Sequence, residues 1–333
     1  MIKGFIKTVA LALAILILST SVLCSCSYKA IKASDEDTEV VGQVGGIDVY
    51  MDELRFVTYT YYELLRDRFG DDIFEGAERD KYISMLKELV YSNITANYAT
   101  LVLCNEVHIG LGEDAVLAKV EQQMNETVEA LGGVRSYKKY LKENYLTDRL
   151  LRFNMEVDIL QNELMYVYVD DIMVIESNDE IVYDIIMEEF IGVRHIFVAH
   201  STDGARDKIG AAKARIDAGE KLSNVMADFN EDTDMSSQGL YIMKGYMNKE
   251  YEDVAFSLGV GDVSGIVEDE LGFYIIERIK LTPQEILLRF DYLKELYQSY
   301  TFYSIVDKKQ AELVFTPTDA GKSFMDDPLA FLK

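Results

Sequence analysis

The amino-acid sequence predicts a multidomain protein in which an all-α module is interrupted by a smaller α+β domain. Residues 40–190 carry apolar residues mainly at helical spacing, which is typical of amphipathic helices. Residues 191–281 alternate short strand patterns with helical ones, and residues 282–333 return to a long helical pattern. With 333 residues, of which 49% are hydrophobic, the chain is long enough to bury more than one core.

Residues 1–25 have the pattern of an export signal. Lys3 and Lys7 precede an uninterrupted apolar run at 8–18, which is shorter than a membrane span, and the segment ends in Leu23-Cys-Ser-Cys26. This resembles the bacterial lipoprotein signal, and the resemblance implies lipidation of Cys26 and a protein lipid-anchored at the outer face of a bacterial membrane. An ordinary secretory signal or a short membrane anchor are the alternatives. The polar residues 26–39 are predicted to form a tether.

The charge of the chain excludes one class of partner. Lys and Arg number 33 against 58 Asp and Glu, so the formal net charge is −25, and it becomes −27 once residues 1–25, with their two lysines and no acid, are removed. A protein this acidic lacks the basic surface that phosphate binding needs, so we expect no nucleic-acid partner. No His or Cys spacing is typical of a metal site, and we expect neither a metal nor a cofactor.

The first helical region begins with a predicted strand, turn and strand, in which Gly45-Gly46 is the turn. Asp52 is suited to cap the helix that follows, because its carboxylate could accept from free backbone N–H groups. Cys104 falls within an apolar helical pattern, where a cysteine is most often a small buried hydrophobe. Helices are predicted over residues 53–69, 80–108, 113–131, 136–145 and 147–169.

The α+β region is predicted to contain strands over 193–199, 263–267 and 272–279, and helices over 203–218, 222–229 and 249–258. A long helical pattern over 283–314 follows it. The apolar stripe of this last helix needs a partner, and we expect it to pack back on the N-terminal helical module. The stripe consists of Ile286, Phe290, Leu293 and Leu296.

Six short motifs occur in order between residues 193 and 279. They are VRHI at 193–196, NED at 230–232, GYM at 245–247, YEDVAFSL at 251–258, GDVSGIV at 261–267 and LGFYII at 271–276. In this order they resemble the parvulin family of peptidyl-prolyl isomerases, whose domain has an α+β, FKBP-like fold. The whole layout is similar to PrsA/SurA-type foldases, in which a SurA-N/PrsA-like all-α chaperone module surrounds such a domain.

The resemblance implies a foldase that catalyses cis–trans isomerisation of X-Pro bonds in unfolded or newly secreted polypeptides and has chaperone activity. It leaves open whether the chain forms a homodimer. By the same resemblance His195, Asp232 and Tyr274 are the catalytic positions. Met247 and Phe256 would bind the substrate proline, together with Met243 or Ile242. From the residues alone, His195 could instead be a core histidine, Met247 and Phe256 could be plain core, and Asp234 competes with Asp232.

Two departures from the family pattern leave a second function open. Tyr274 stands where the family has a second His, which could reduce activity, and the segment 241–245 is about one residue short, so Ile242 or Met243 would replace the usual aromatic residue. The alternative is a holdase chaperone with a weakly active or inactive parvulin domain. A solute-binding lipoprotein is a third hypothesis, against which the long helical N-terminal half argues.

Overall fold

The structure is a computed structural model that describes residues 31, 32, 34 and 37–332. The predicted export signal at 1–25 and Cys26 lie outside the described residues, so both the signal and the lipidation of Cys26 stay predictions. Within the part of the chain that is described, no helix is both long and apolar enough to cross a membrane. The chain forms two compact units: a helical unit, up to Ile172 and again from Phe302, and a sheet unit, Met173–Thr301.

The helical unit begins with two strands and five helices, and a π-helical turn, Val167–Asp171, follows them. In chain order these elements are β1 (Val40–Val44), β2 (Ile47–Tyr50), α1 (Met51–Phe69), α2 (Arg79–Glu106), α3 (Asp114–Ala130), α4 (Val134–Glu143) and α5 (Asp148–Tyr166).

The remaining elements belong first to the sheet unit and then, from within α11, to the helical unit. They are α6 (Asp179–Glu189), β3 (Ile191–Ala199), α7 (Ala205–Asp217), α8 (Leu222–Phe229), β4 (Leu240–Ile242), α9 (Lys249–Ser257), β5 (Val263–Glu268), β6 (Gly272–Ile279), α10 (Pro283–Leu288), α11 (Phe290–Glu312), β7 (Phe315–Pro317) and α12 (Asp319–Asp326), and a 3-10 helix, Pro328–Leu332, follows.

The helical unit contains a small antiparallel sheet with the strand order β2-β1-β7. Strands β1 and β2 form the predicted hairpin, and both residues of its turn, Gly45 and Gly46, have positive φ, 58° and 81°, the conformation that favours glycine in a two-residue hairpin turn. Strand β7 comes from the far end of the chain and pairs Phe315 with Val44. The predicted all-α module therefore carries a sheet whose third strand, at three residues, is too short to leave an alternating pattern.

Apolar side chains from α1, α2 and α5 form the core of the helical unit. Leu54, Tyr61, Leu86 and Leu160 are almost completely buried in it. Cys104 is also buried, its thiol lies 3.7 Å from the carbonyl oxygen of Leu160, and burial raises its pKa to about 12. The thiol is therefore protonated near neutral pH and unreactive, as expected for a core cysteine.

A buried cluster of charged groups connects α1 to α5. Asp52 does not cap α1, which begins one residue earlier. Its carboxylate instead accepts hydrogen bonds from Arg149 Nε, at 2.9 Å, and from the Thr147 hydroxyl. Glu53 lies 3.0 Å from Arg149 Nη2 and accepts from the Tyr98 hydroxyl at 2.8 Å. One guanidinium thus serves two buried carboxylates, and burial raises the pKa of Glu53 to about 7.

The sheet unit is built on a four-stranded antiparallel sheet with the order β4-β3-β6-β5. Successive side chains of a strand point to opposite faces. On β3, Ile196 and Val198 pack with α7 and α8, whereas Val193 and Phe197 pack with α9. The sheet therefore separates two apolar clusters, and the odd-numbered residues of β3 face α9.

Helix α10 and the first part of α11 also pack within the sheet unit. Ile286 and Leu293, from the stripe identified in the sequence, contact a cluster that includes Val182 and Ile186 of α6 and Met243. The sequence assigns α6 to the N-terminal module and expects the stripe to pack there. In the structure α6 belongs to the sheet unit, so this part of the C-terminal helix finds its partners in that unit.

Candidate active site

His195 occupies the middle of β3 on the face toward α9, and its side chain is buried. Both ring nitrogens are engaged. Nε2 lies 3.0 Å from Oδ2 of Asp232, and Nδ1 lies 3.0 Å from the hydroxyl of Tyr251. The imidazole is therefore a fixed polar group in an otherwise apolar cluster, held from a loop on one side and from a helix on the other.

Asp232 is positioned by a loop that is hydrogen-bonded to the end of β3. Asn230 accepts from the backbone N–H of Phe197 at 2.8 Å and donates its amide to the carbonyl of Asp232 at 2.6 Å. Glu231 accepts from the backbone N–H of Ala199 at 2.8 Å. The side chain of Asp232 remains 29% exposed and its pKa is lowered, chiefly because His195 donates a hydrogen bond to it.

Asp234 does not compete for this position. It is exposed, and its backbone N–H donates to Oδ1 of Asp232 at 2.9 Å. Asp234 thus helps to orient the carboxylate of Asp232, while Asp232 itself contacts the histidine. Of these two residues, the loop brings Asp232 and not Asp234 against His195.

Tyr274, on β6, packs its ring edge-on against His195 with the ring centroids 5.4 Å apart. Burial and the nearby carboxylate of Asp269 raise the pKa of its hydroxyl. The amide of Asn248 and the backbone N–H groups of Leu271 and Gly272 donate to Asp269. Because both ring nitrogens of His195 are bonded to Asp232 and Tyr251, Tyr274 contacts the imidazole with its ring.

The apolar wall of the site comes from the cluster between the sheet and α9. Met247 and Phe256 are both partly buried and pack against this cluster, and Ile242 is completely buried in it. Met243 does not belong to it. Because side chains alternate at the end of β4, Met243 points to the opposite side, into the cluster formed with α6, α10 and α11. Of the two candidates from the shortened segment, only Ile242 lies on the His195 side.

Gly245, in the Gly-x-Met motif, is required by its surroundings. Its φ is +88°, and a Cβ at this position would lie 1.7 Å from the hydroxyl of Tyr300. Any larger residue would push against α11 and displace the turn that leads to Met247. The motif is therefore explained here by backbone geometry as much as by the site.

Sequence reasoning missed Tyr251 as a partner of His195. The residue lies on α9, its side chain is completely buried, and its ring packs edge-on against both His195 and Tyr274. The available signal was the motif YEDVAFSL, in which Tyr251 stands where the family pattern begins with Phe. A buried tyrosine in place of phenylalanine adds a hydroxyl that must find a partner.

Of the four residues that meet around the imidazole, one is accessible to another molecule. His195, Tyr251 and Tyr274 are buried, whereas the side chain of Asp232 is open to solvent. The site presents an oriented carboxylate at the edge of an apolar wall. It can bind an apolar ring beside the wall and place a negative charge next to it.

The region that contains these residues is similar to a known family. The family model of the PPIC-type PPIase domain matches residues 195–280. A foldase protein PrsA of Caldanaerobacter subterraneus subsp. tengcongensis is 24% identical over 320 residues, which cover 92% of this chain and 94% of the relative. A foldase protein PrsA of Geobacillus kaustophilus is 24% identical over 220 residues, 65% of this chain and 71% of the relative.

Among solved structures, PrsA from Bacillus subtilis covers 83% of this chain and 91% of its own, with 17% sequence identity and a TM-score of 0.29. The family model and the curated relatives confirm the predicted parvulin-type peptidyl-prolyl cis–trans isomerase domain within a PrsA-like chain, and the helical region that accompanies it confirms the predicted fold class.

Proposed function

We propose that this chain is an extracytoplasmic, lipid-anchored foldase that isomerises X-Pro bonds in secreted polypeptides at the site beside Asp232. The observation that carries the proposal is the hydrogen bond between His195 and Asp232, at the edge of the apolar wall to which Met247 and Phe256 belong. The similarity to PrsA foldases supports the wider role, in which the helical unit binds unfolded chains and the sheet unit acts on their prolines.

The chemistry requires no nucleophile, because rotation about an X-Pro bond breaks only amide resonance, against a barrier of about 18–20 kcal/mol. In the planar amide the carbonyl oxygen carries extra negative charge, and this charge is lost when the bond twists. A fixed carboxylate close to that oxygen disfavours the planar state relative to the twisted one. Met247 and Phe256 would hold the prolyl ring while Asp232 supplies this charge.

Met247→Ala is expected to lower kcat/KM for an X-Pro peptide by about 10- to 100-fold, the range for removing several carbons from an apolar pocket. The measurement is a prolyl-isomerase assay with the wild type alongside. Met187→Ala is the control, because Met187 lies on α6 and is exposed. Equal losses in the two variants would argue against Met247 as a substrate-binding residue.

A holdase function is the second candidate, and the contacts of Tyr274 favour it. Both nitrogens of His195 are bonded to Asp232 and Tyr251, so Tyr274 makes only a ring contact with the imidazole, where the family pattern has a second histidine. A wild-type isomerase rate no higher than that of His195→Ala, together with suppressed aggregation of an unfolded client, would support the holdase. A clear excess of the wild-type rate would support the foldase.

Phosphorylated substrates are disfavoured by the charges around the site. Arg206 and Lys208 lie in the first turn of α7. Lys208 is 2.7 Å from Glu231, and Arg206 is 3.3 Å from Glu268, so both basic side chains are paired with carboxylates. A phosphate group would also meet the negative charge of Asp232. We therefore propose substrates with unmodified residues before proline.

The lipid anchor is tested by Cys26→Ala. In a bacterial host the wild-type chain should enter the detergent phase on phase separation and carry a lipid on its N-terminal peptide, because a lipidated cysteine holds an otherwise hydrophilic chain at the membrane. Cys26→Ala should remain in the aqueous phase or keep its uncleaved signal, whereas Cys24→Ala should behave as the wild type. Lipid on the Cys26→Ala chain would contradict the proposal.

A further inference from the structure

The hydroxyl of Tyr251 is buried against His195 and has a single partner. It lies 3.0 Å from Nδ1 of the imidazole, and the side chain of Tyr251 is 0% exposed. Within the described part of the chain, no other hydrogen-bond partner of this hydroxyl is found. A phenylalanine would supply the same ring contacts, so the oxygen is the one feature that distinguishes this side chain from an ordinary core residue.

The proton positions on His195 and Tyr251 follow from their hydrogen-bond partners. The ionised carboxylate of Asp232 accepts hydrogen bonds only, so Nε2 of His195 must be the donor in their 3.0 Å contact. In a neutral imidazole Nδ1 is then an acceptor, and the Tyr251 hydroxyl donates to it. In an imidazolium Nδ1 would donate instead, and the proton of Tyr251 would be left buried without an acceptor.

We propose that Tyr251 is a positioning residue for the isomerase site: its hydroxyl donates to Nδ1 of His195 and, together with Asp232 at Nε2, holds the imidazole neutral with its proton on Nε2. The proposal rests on the proposed function of Asp232. The two hydrogen bonds point in the same direction, from α9 through the imidazole to the loop, and they end at the exposed carboxylate. Tyr274, the third group packed on the imidazole, contributes only its ring.

This arrangement preserves the negative charge of Asp232, on which the proposed reaction depends. An imidazolium beside Asp232 would cancel much of the negative charge of the carboxylate, whereas a neutral imidazole orients the carboxylate and leaves its charge in place. The groups facing His195 are Tyr251 from α9, Tyr274 from β6 and Asp232 from the loop, and among them Tyr251 alone opposes protonation of Nδ1.

The test is Tyr251→Phe in the full chain, with ¹⁵N NMR of the His195 ring and the pH profile of kcat/KM as readouts. In the wild type we expect a protonated Nε2 and an unprotonated, hydrogen-bonded Nδ1 at neutral pH. In the variant the Nδ1 signal should shift to that of a free acceptor, and kcat should fall about 3- to 10-fold, the range for one neutral hydrogen bond, at unchanged KM. The acid limb of the profile should move to higher pH.

Tyr183→Phe is the matched control, because Tyr183 lies on α6 and packs in a different cluster. A wild-type His195 that is an imidazolium at neutral pH, or that carries its proton on Nδ1, would overturn the proposal even if Tyr251→Phe fails to fold. An unchanged pH profile in a folded Tyr251→Phe would also overturn it. If the wild type has no isomerase activity, the proposed function fails, but the NMR assignment still decides whether Nδ1 of His195 is unprotonated and accepts from the Tyr251 hydroxyl.

Discussion

Asp232→Asn is expected to lower kcat/KM for an X-Pro peptide by about 100-fold, the effect of removing one preorganised electrostatic group. An asparagine has nearly the same shape, and its amide oxygen can still accept from Nε2 of His195, so the loop and the fold should be retained. The variant removes the negative charge and the oxygen that accepts from the backbone N–H of Asp234. The loss should appear in kcat, because the apolar wall that binds the prolyl ring is unchanged.

The control for this variant is Asp234→Asn. Asp234 lies two residues away, is exposed, and contributes a backbone N–H to Asp232 that the substitution preserves. It should keep wild-type activity. Because the pKa of Asp232 is lowered, activity that depends on its charge should also persist to a more acidic pH than an ordinary aspartate would allow. Full activity of Asp232→Asn would show that the charge plays no part in the reaction.

Glu53→Gln is expected to remove a pH dependence of stability from the helical unit. The pKa of Glu53 is about 7 in the folded chain, against an ordinary value of 4.5, because burial disfavours the charged form. The folded state therefore holds the proton more tightly than the unfolded state. The free energy of unfolding should fall by about 3 kcal/mol as the pH rises from the ordinary pKa of Glu53 to its pKa in the folded chain. The stabilisation that the bound proton provides is fully present only below the ordinary pKa.

Urea unfolding of the purified chain between mildly acidic and mildly alkaline pH measures this effect, with circular dichroism as the signal because the chain has no tryptophan. Glu53→Gln should flatten the pH dependence, since a glutamine has no proton to lose. Glu63→Gln is the control on the same helix: Glu63 is much more exposed and is paired with Arg66 at 3.1 Å. A pH dependence that is the same in Glu53→Gln and in the wild type would rule out Glu53 as its source.

Most of the secondary structure could be predicted because its signals are local. The Gly45-Gly46 turn and the long apolar periodicity of α2 are typical of a hairpin and a helix wherever they occur. Strand β7 left no such signal, because three residues in a strand owe their conformation to pairing with β1 at the other end of the chain. The cap expected from Asp52 failed for the same kind of reason. The guanidinium of Arg149, 97 residues away in sequence, binds the Asp52 carboxylate more strongly than free backbone N–H groups would.

For the site, the sequence alone determined the residue types and their order: His195 on a strand, Asp232 in the loop after α8, and the motifs that supply Met247 and Phe256. The tertiary structure decided which of these residues meet. It brought Asp232 rather than Asp234 to the histidine, turned Met243 to the opposite side from Ile242, and added Tyr251. The physical reason is that a polar contact in a core depends on loop closure and on the face of a strand. Both are set by packing between elements distant in the chain, whereas motifs record only which side chains are present.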